Sequence, residues 1–416
     1  MKNRKFIKME KEMLIYNLSH LPQLVFEVTD ACNLKCKYCA FEELYTGYDQ
    51  RENKYLCFDY ARKIVDYLAD FWKANTSAVF PKRLNIGFYG GEPLLNFNLI
   101  KEIIFYIESF GDIGKSLTYS MTTNGTLLDR HIDYLVEKDF SLLISFDGDE
   151  TAQGYRVYRN GGDSFTDVYG NVCLVREKYP AFFETNVSFN AVLHARNSIE
   201  SVYAFFKNNF SKVPRISSLS DSGINKERRD DFQGICRDYR ESFSQISGEK
   251  AAEIAGNNLF LSPELTRFYN LFEAESGNVF YNFHELLFDG KEPGAFPTGT
   301  CLPFSKKMFV TVNGKILQCE RIDHAYVLGR ITDKGVEMDL DKITRDHNAG
   351  LFKYIKQCMQ CAAGEKCPVC LYRMDDFQKT VDCPSFYRGK RPGLNLNLLR
   401  KHPRLLEQVY QVKTVR

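Results

Sequence analysis

Three cysteines near the start of the chain could hold an inorganic cluster. Cys32, Cys36 and Cys39 form a C-x3-C-x2-C pattern in the segment CNLKCKYC. Three thiolates in so short a loop can bind three irons of a 4Fe-4S cube and leave the fourth iron without a protein ligand. Zinc is the alternative, but structural zinc sites normally close a tetrahedron with four ligands. The spacing therefore favours an iron-sulfur cluster with one open iron, while zinc stays possible.

A second cysteine-rich region lies toward the end of the chain. Seven of the 13 cysteines belong to it: Cys301, Cys319, Cys358, Cys361, Cys367, Cys370 and Cys383. Alone, the CxxC-x5-CxxC string at 358–370 would suit a zinc knuckle. Thiols this concentrated, in a chain whose first residues carry charges where a signal peptide is apolar, indicate metal binding in preference to disulfides.

Charge and hydropathy exclude two classes of partner. The 416 residues carry 55 Lys and Arg against 53 Asp and Glu, a formal net charge of +2. Such a balance provides no field to attract a phosphate backbone, so we expect no nucleic acid. No apolar run approaches the roughly 18 residues of a membrane span, so we expect a cytoplasmic protein with no membrane partner.

The first half of the chain must supply the elements that position these residues. Apolar strand-like segments alternate with amphipathic helical ones, which predicts an α/β fold with a parallel sheet. Strands are expected at 24–28, 84–89, 117–122, 142–147, 187–192 and 214–219. Helices are expected at 59–73, 97–110, 127–138, 165–179 and 198–209. Ligands of parallel barrels bind at the carboxyl ends of the strands, so the residues that follow each strand are candidate contacts.

Those strand ends carry glycines and polar side chains. Gly90, Gly91 and Glu92 follow the second strand, where paired glycines allow close backbone approach and the carboxylate offers an acceptor for a cation. The third and fourth strands end at further polar residues, which could bind a ribose or a carboxylate: Thr122, Asn124, Ser145 and Asp147. Each string alone would more often be a structural turn or cap.

The first cysteine motif, with the aromatic Tyr38 before its last cysteine, resembles that of the radical S-adenosylmethionine (SAM) enzymes. The resemblance implies a partial (β/α)6 TIM-like barrel in which the open iron chelates SAM. The reduced cluster then cleaves SAM to a 5'-deoxyadenosyl radical. By the same resemblance, Gly90, Gly91 and Glu92 receive the ammonium of SAM, and Arg156 pairs with its carboxylate. The sequence departs from relatives at Ala152 and Gln153, where they often carry His-Asp.

The second cysteine region resembles the SPASM extension, the auxiliary-cluster domain of radical SAM enzymes that act on peptides. It implies that Cys358, Cys361, Cys367 and Cys383 ligate one 4Fe-4S cluster, and that Cys301, Cys319 and Cys370 hold another. Relatives usually place three residues between the last two cysteines of the central string, where this chain has Pro368 and Val369.

The second auxiliary set is one ligand short, because Lys307 stands where fuller relatives have an extra cysteine. Either Asp323 or His324 coordinates the remaining iron, or it is open to a substrate thiolate, which we favour. Glu320 is the candidate catalytic base, since sulfatase-maturing relatives place an acidic residue after the equivalent cysteine. The alternative, a solvent-exposed glutamate beside Arg321, is the interpretation we favour.

The resemblance predicts five segments: an N-terminal extension (1–21), the barrel (22–220), a helical bridge (221–296), the SPASM domain (297–390) and a helical tail (391–416). It predicts a radical SAM peptide maturase with three 4Fe-4S clusters that forms a thioether or carbon-carbon cross-link in a ribosomally made precursor peptide. A reductant such as flavodoxin or ferredoxin is implied, and a separate leader-binding protein is a further possible partner. The alternatives are an anaerobic sulfatase-maturing enzyme and a non-catalytic metal-binding peptide escort.

Overall fold

The computed structural model describes residues 6–74, 82–111, 115–220, 222–256, 296–363, 367, 369–374 and 379–388. The expected helical tail and most of the expected bridge lie outside these residues. Within the described part of the chain, no helix is both long and apolar enough to cross a bilayer.

The six expected strands form and lie parallel to one another. Their bounds are β1 (Gln23–Thr29), β3 (Lys82–Gly90), β4 (Lys115–Thr123), β5 (Ser141–Ser145), β7 (Val187–Leu193) and β8 (Arg215–Ser218). Each pairs with the next in this order, so the expected α/β fold with a largely parallel sheet is confirmed. The carboxyl ends of all six strands therefore meet at one edge of the sheet.

The helices that connect these strands match the five expected ones within about two residues. They are α2 (Phe58–Ala74), α3 (Phe97–Glu108), α4 (Leu128–Glu137), α6 (Phe165–Lys178) and α8 (Ile199–Phe210). The helix α2 shows why the pattern works, because Ile64, Val65, Leu68 and Trp72 recur at helical spacing and are all buried. One apolar core joins this helix face to the outer face of β1, where Leu24, Phe26 and Val28 lie.

Short elements were not expected from the sequence. Strand β2 (Leu34–Cys36) pairs antiparallel with β6 (Arg156–Tyr158), apart from the main sheet. Two further helices, α5 (Glu150–Gln153) and α7 (Pro180–Asn186), occupy connections that carried no helical prediction. A helical bridge, by contrast, was expected, and its described part contains α9 (Arg229–Ile235), α10 (Tyr239–Ser244) and α11 (Gly248–Gly256).

The second cysteine region begins by extending the main sheet. The expected hairpin forms from β9 (Met308–Val310) and β10 (Lys315–Leu317), followed by β11 (Gly329–Thr332) and β12 (Gly335–Glu337). The described residues thus build a ten-stranded sheet in the order β12-β11-β10-β9-β1-β3-β4-β5-β7-β8. Strand β9 pairs parallel with β1, so the hairpin before Cys319 and the strand before Cys32 are neighbours.

The chain then continues into α12 (Leu340–Phe352) and α13 (Ile355–Gln360), which precede the last cysteines. The helix α1 (Lys11–Ser19), in the expected N-terminal extension, contacts this C-terminal part. The Asn17 amide donates to the Pro303 carbonyl at 3.0 Å, and Lys11 pairs with Asp341. The extension is therefore attached to the region that carries the second set of cysteines.

Candidate active site

The three cysteines of the first motif lie directly after β1, on a loop that the β2-β6 pair holds in place. Cys32 follows β1, Cys36 is the last residue of β2, and the Cys39 amide donates to the Cys36 carbonyl at 3.2 Å. Burial raises the pKa of Cys32 to about 12. Burial also raises the pKa of Cys36, and the charges of the Cys39 and Cys32 thiolates add to that rise. These thiols are therefore close enough to repel one another as thiolates, and a bound metal would stabilise the ionised form.

This donor set fits an iron-sulfur cluster. Among the residues that the structure describes, no three Cys, His, Asp or Glu side chains converge closely enough to share a single ion. A 4Fe-4S cube does not require such convergence, because each thiolate binds a different iron. Cys32, Cys36 and Cys39 would hold the cube.

The glycine pair packs directly against the start of the cysteine loop. The Gly91 amide donates to the Thr29 carbonyl at 2.9 Å, and the Glu92 amide donates to the Ala31 carbonyl at 2.8 Å. A Cβ added at Gly91 would lie 2.0 Å from the Ala31 oxygen, closer than any side chain allows. Gly90 has φ +143, a conformation that side chains rarely adopt. Only glycines let this turn approach the segment that leads into Cys32.

Glu92 serves this turn in a way the sequence did not predict. Its carboxylate is fully buried and accepts hydrogen bonds from the Leu94 amide (3.1 Å), the Thr123 hydroxyl (2.7 Å) and the Asn124 amide (2.7 Å). Burial raises its pKa to about 7, and these three donors oppose the rise. The contacts favour a positioning role that ties the glycine turn to the end of β4, whereas a direct contact with SAM stays a prediction.

The sequence predicted Thr122 as the candidate contact at the end of β4, but the structure gives the contact with Glu92 to Thr123. Both end β4, but Thr123 is buried toward Glu92, whereas Thr122 is half-buried. The side chain of Asn124 continues the chain of contacts: its amide donates to Asn33 at 2.8 Å and lies 3.9 Å from the Cys32 sulfur. Hydrogen bonds thus join the carboxyl ends of β1, β3 and β4 beside the cysteine loop.

Asp147, Tyr38 and Arg156 form a buried charged network. The Arg156 guanidinium lies 3.0 Å from Asp147 Oδ2, and Tyr38 donates a hydrogen bond to the same carboxylate. Burial alone would raise the pKa of Asp147, but the Arg156 and His194 side chains outweigh it and lower the pKa below its ordinary value. Ser145, also predicted, is half-buried two residues before Asp147 at the end of β5.

His194 joins this network and was missed in the sequence. Its Nε2 lies 3.4 Å from Asp147 Oδ2, its ring stacks on Tyr38, and it is fully buried. It directly follows β7, so the strand-end rule that selected Asp147 could have found it. The Arg156 guanidinium is already paired and lies 4.0 Å from the Cys36 sulfur, so its expected pairing with the SAM carboxylate stays a prediction.

The first auxiliary set gathers around one cavity. Four cysteines of the C-terminal string line it, as the SPASM resemblance implies: Cys358, Cys361, Cys367 and Cys383. This common lining suits a cluster held by all four thiolates.

The other three cysteines lie on segments that hydrogen bonds bring together. The Gln318 amide, next to Cys319, donates to the Cys301 carbonyl at 3.1 Å. The Leu371 amide, next to Cys370, donates to the Thr300 hydroxyl at 2.9 Å. Cys301, Cys319 and Cys370 are thus brought to one region, and their joint ligation of a cluster stays a prediction.

Glu320 and Lys307 form an ion pair beside Cys319. The Lys307 nitrogen lies 3.0 Å from Glu320 Oε2, and the Glu320 side chain is only 15% exposed. The expectation of a solvent-exposed glutamate is therefore wrong, because Lys307, whose own side chain is 22% exposed, covers it. Burial would raise the pKa of Glu320, but Lys307 and Arg321 outweigh it and hold the pKa at about 2. In this arrangement Glu320 is ionised and paired, so a role as base would require Lys307 to withdraw.

Asp323 and His324 face another part of the chain. The His324 amide donates to the Gly47 carbonyl at 2.7 Å, and its Nδ1 accepts from the Asp49 amide at 3.3 Å. Asp323 accepts from the Ala325 amide at 2.7 Å. The side chains of these two alternative ligands therefore pack with the loop that follows the first cysteine motif or with their own turn.

Comparison with known proteins identifies the first half of the chain. The sequence model of the radical SAM superfamily matches residues 26–207, which contain the cysteine loop, the end of β1 and the parallel strands β3, β4, β5 and β7. The chain carries a radical SAM domain. This superfamily uses a 4Fe-4S cluster and SAM, so the expected cofactors of the first motif follow from the match.

Two relatives and one solved structure extend the radical SAM likeness. The cyclopropyl synthase TigE of Paramaledivibacter caminithermalis is 25% identical over 47% of this chain and 39% of TigE. The serine-type anaerobic sulfatase-maturating enzyme of Bacteroides thetaiotaomicron is 24% identical over 89% of this chain and 85% of that enzyme. The structure of anSMEcpe with AdoMet and the Kp18Cys peptide shares the fold, with a TM-score of 0.56 at 17% identity over 94% of this chain and 99% of that one. The chain spans 39 to 54% of the length of the first curated relatives it matches.

Proposed function

We propose that this radical SAM protein is a peptide maturase that forms a thioether or carbon-carbon cross-link in a ribosomally made precursor. When bound, the reduced 4Fe-4S cluster and SAM supply a 5'-deoxyadenosyl radical that abstracts a hydrogen from the substrate. The observation that carries the proposal is the second cysteine region, where four thiols line one cavity and three more lie on joined segments. One relative with matching sequence is named for the maturation of sulfatases, which are proteins.

We assign each group of cysteines to one cluster. Cys32, Cys36 and Cys39 would hold the catalytic cluster, and Gly90 and Gly91 would let the turn after β3 pack against the segment that leads into Cys32. Cys358, Cys361, Cys367 and Cys383 would hold one auxiliary cluster, and Cys301, Cys319 and Cys370 a second with one iron open to a substrate thiolate. In this division the domain boundaries follow the sequence, with the barrel at 22–220 and the auxiliary domain at 297–390.

The test is product formation under anaerobic conditions. Protein reconstituted with iron and sulfide is incubated with SAM, a reductant such as flavodoxin or ferredoxin, and short peptides encoded beside its gene. We expect peptide-dependent 5'-deoxyadenosine and a product lighter by two hydrogens. SAM cleavage that no peptide stimulates would overturn the proposal.

The second candidate is a sulfatase-maturating enzyme, favoured by the match over most of the chain. A sulfatase-derived peptide with a target Cys or Ser would then gain an aldehyde, which a hydrazide probe detects. The Lys307–Glu320 ion pair argues against it, because the acidic residue after Cys319 is paired and ionised. If the aldehyde forms faster than any cross-link, sulfatase maturation becomes the first candidate function and cross-link formation the second.

A further inference from the structure

A second cavity opens at the protein surface beside the one that the four C-terminal cysteines line, which we call the four-cysteine cavity. Exposed polar residues form the rim of this outer cavity: Lys356, Gln360, Asp382 and Arg388. Three further residues line both the outer cavity and the four-cysteine cavity: Gln357, Cys383 and Phe386. These shared side chains lie between the two cavities, and one of them is a predicted cluster ligand.

Hydrogen bonds hold this shared wall together. The Cys383 amide donates to Gln357 Oε1 at 2.7 Å, and the side-chain amide of Gln357 donates to Asp382. Gln357 belongs to α13, and the next residue of that helix, Cys358, lines the four-cysteine cavity. A cluster in the four-cysteine cavity would therefore have one of its thiolates, Cys383, at the wall of a cavity that opens to solvent.

The surface around the outer cavity carries more positive than negative charge. Lys356 and Arg388 are exposed on its rim, and Lys379 is exposed three residues before Asp382. Among the described residues that line the outer cavity, Asp382 is the one that carries a carboxylate. Such a surface attracts a partner whose own surface is acidic.

Exposed apolar side chains lie beside these charges. Of the seven large apolar side chains that are exposed among the described residues, three lie here: Met359, Val381 and Tyr387. Met359 lies one helical turn after Lys356, and Val381 and Tyr387 each adjoin a residue that lines the outer cavity. Exposed apolar groups with a charged rim are typical of a protein interaction site.

We infer that the outer cavity and the apolar side chains beside it are the docking surface for an acidic one-electron carrier protein of the ferredoxin class. One electron passes from the reduced carrier to the cluster of the four-cysteine cavity, so the carrier is oxidised and that cluster is reduced, and no bond forms or breaks. Electron-transfer partners bind through small interfaces, so a surface of a few side chains suffices. The inference rests on the proposed function, because it assumes a 4Fe-4S cluster in that cavity.

The experiment separates docking of the carrier from reduction by a small molecule. Binding of oxidised ferredoxin to the reconstituted protein is measured by biolayer interferometry. Cluster reduction is followed by the loss of visible absorbance after mixing with reduced ferredoxin or with dithionite. We expect Lys356→Glu/Arg388→Glu to weaken ferredoxin binding and to slow reduction by ferredoxin by about tenfold or more. Reduction by dithionite, which needs no docking surface, should be unchanged.

Two further variants keep the test independent of folding. Val381→Ser removes a side chain that is 83% exposed, changes no charge, and should weaken ferredoxin binding by about threefold. Val381 is not among the residues that line either cavity, so this variant tests the surface even if the charge reversals disturb the cysteines. Lys334→Glu/Arg130→Glu is the matched control, because it makes the same change of charge at exposed residues of the β11–β12 turn and α4, and it should bind ferredoxin as the wild type does. Added salt should weaken binding more in the wild type than in Lys356→Glu/Arg388→Glu.

Two sets of outcomes contradict the inference in different ways. Wild-type ferredoxin affinity and reduction rate in the surface variants, or an equal loss in the control, would show that the carrier docks elsewhere. Intact ferredoxin binding together with a loss of peptide-dependent SAM cleavage in dithionite would assign this surface to the precursor peptide instead. Neither ferredoxin measurement requires a peptide, so failure of the proposed function shows separately, as SAM cleavage that no peptide stimulates.

Discussion

At the scale of single residues, the candidate site depends on buried charged side chains that pair with one another. Asp147, Arg156, Tyr38 and His194 form one network next to Cys36. The sequence could select Asp147 and Arg156 because each follows a strand or lies in a family motif. It could not show that they bind each other, since that depends on how β2 and β6 pair beside the end of β5.

Removing the charge of Asp147 should destabilise the fold. Asp147→Asn leaves the buried Arg156 without a counter-ion, so we expect the free energy of unfolding to fall by about 3–5 kcal/mol. Urea denaturation of the reconstituted protein measures this. Asp133→Asn is the control, because Asp133 pairs with Lys178 at the surface and should leave the denaturation midpoint unchanged. Equal midpoints for Asp147→Asn and wild type would contradict the network.

His347 gives the stability a pH dependence. It is buried in α12, with Nδ1 3.1 Å from the Tyr372 hydroxyl, and burial lowers its pKa to about 3. Because the unfolded residue has a pKa of about 6.5, acidification protonates the unfolded chain first and the folded state loses stability as the pH falls below that value. Between pH 7 and pH 5 this group should cost about 2 kcal/mol.

The check is a comparison of wild type with His347→Asn, which retains an acceptor for Tyr372 but does not titrate. Denaturation midpoints of the two proteins should converge as the pH is lowered from 7 to 5. Parallel pH profiles would show that His347 does not contribute.

At the scale of elements, the sequence predicted long periodic segments well and short ones poorly. The six parallel strands and the five amphipathic helices that follow them form because apolar residues recur with the strand or helix period over many residues. Strands of three residues, such as β2 and β6, contain too few positions to show a period. The pairing of β9 with β1 joins segments far apart in sequence, which no local pattern encodes.

The glycine turn after β3 should tolerate no side chain. Gly91→Ala would force a Cβ against the Ala31 carbonyl, so the turn or the cysteine loop must move, and we expect a loss of about 1–3 kcal/mol together with weaker SAM binding. Gly170→Ala in α6 is the matched control. No atom of the described residues lies within 4 Å of its Cβ, so this change should stabilise the protein by roughly 0.5–1 kcal/mol. Similar effects of the two substitutions would contradict the close approach at Gly91.

At the scale of the whole molecule, the two cysteine regions are parts of one connected structure. The ten-stranded sheet runs from the six parallel strands into the hairpin before Cys319, and α1 is attached to the C-terminal part. The motifs predicted which cysteines belong together. They could not predict that Lys307 would pair with Glu320, because that ion pair forms only when β9 and β10 bring the two residues together.

The auxiliary clusters should be separable from the catalytic one. If all three predicted cubes are present, the wild type should contain about twelve iron and twelve sulfide per chain. Cys361→Ser should lower both by about a third, because one of four ligands around the shared cavity is lost. Cys57→Ser, at an exposed cysteine, should lower neither. Iron content that is unchanged in Cys361→Ser would contradict the assignment of that cavity.

The most direct test of the central claim is the electron paramagnetic resonance spectrum of the reduced protein before and after addition of SAM. An iron that Cys32, Cys36 and Cys39 leave without a protein ligand should bind SAM, so the cluster signal should shift in the wild type and in Cys361→Ser. The same addition should leave the spectrum of Cys36→Ala unchanged. A wild-type spectrum that SAM does not alter, or a shift that persists in Cys36→Ala, would contradict a catalytic cluster at this loop.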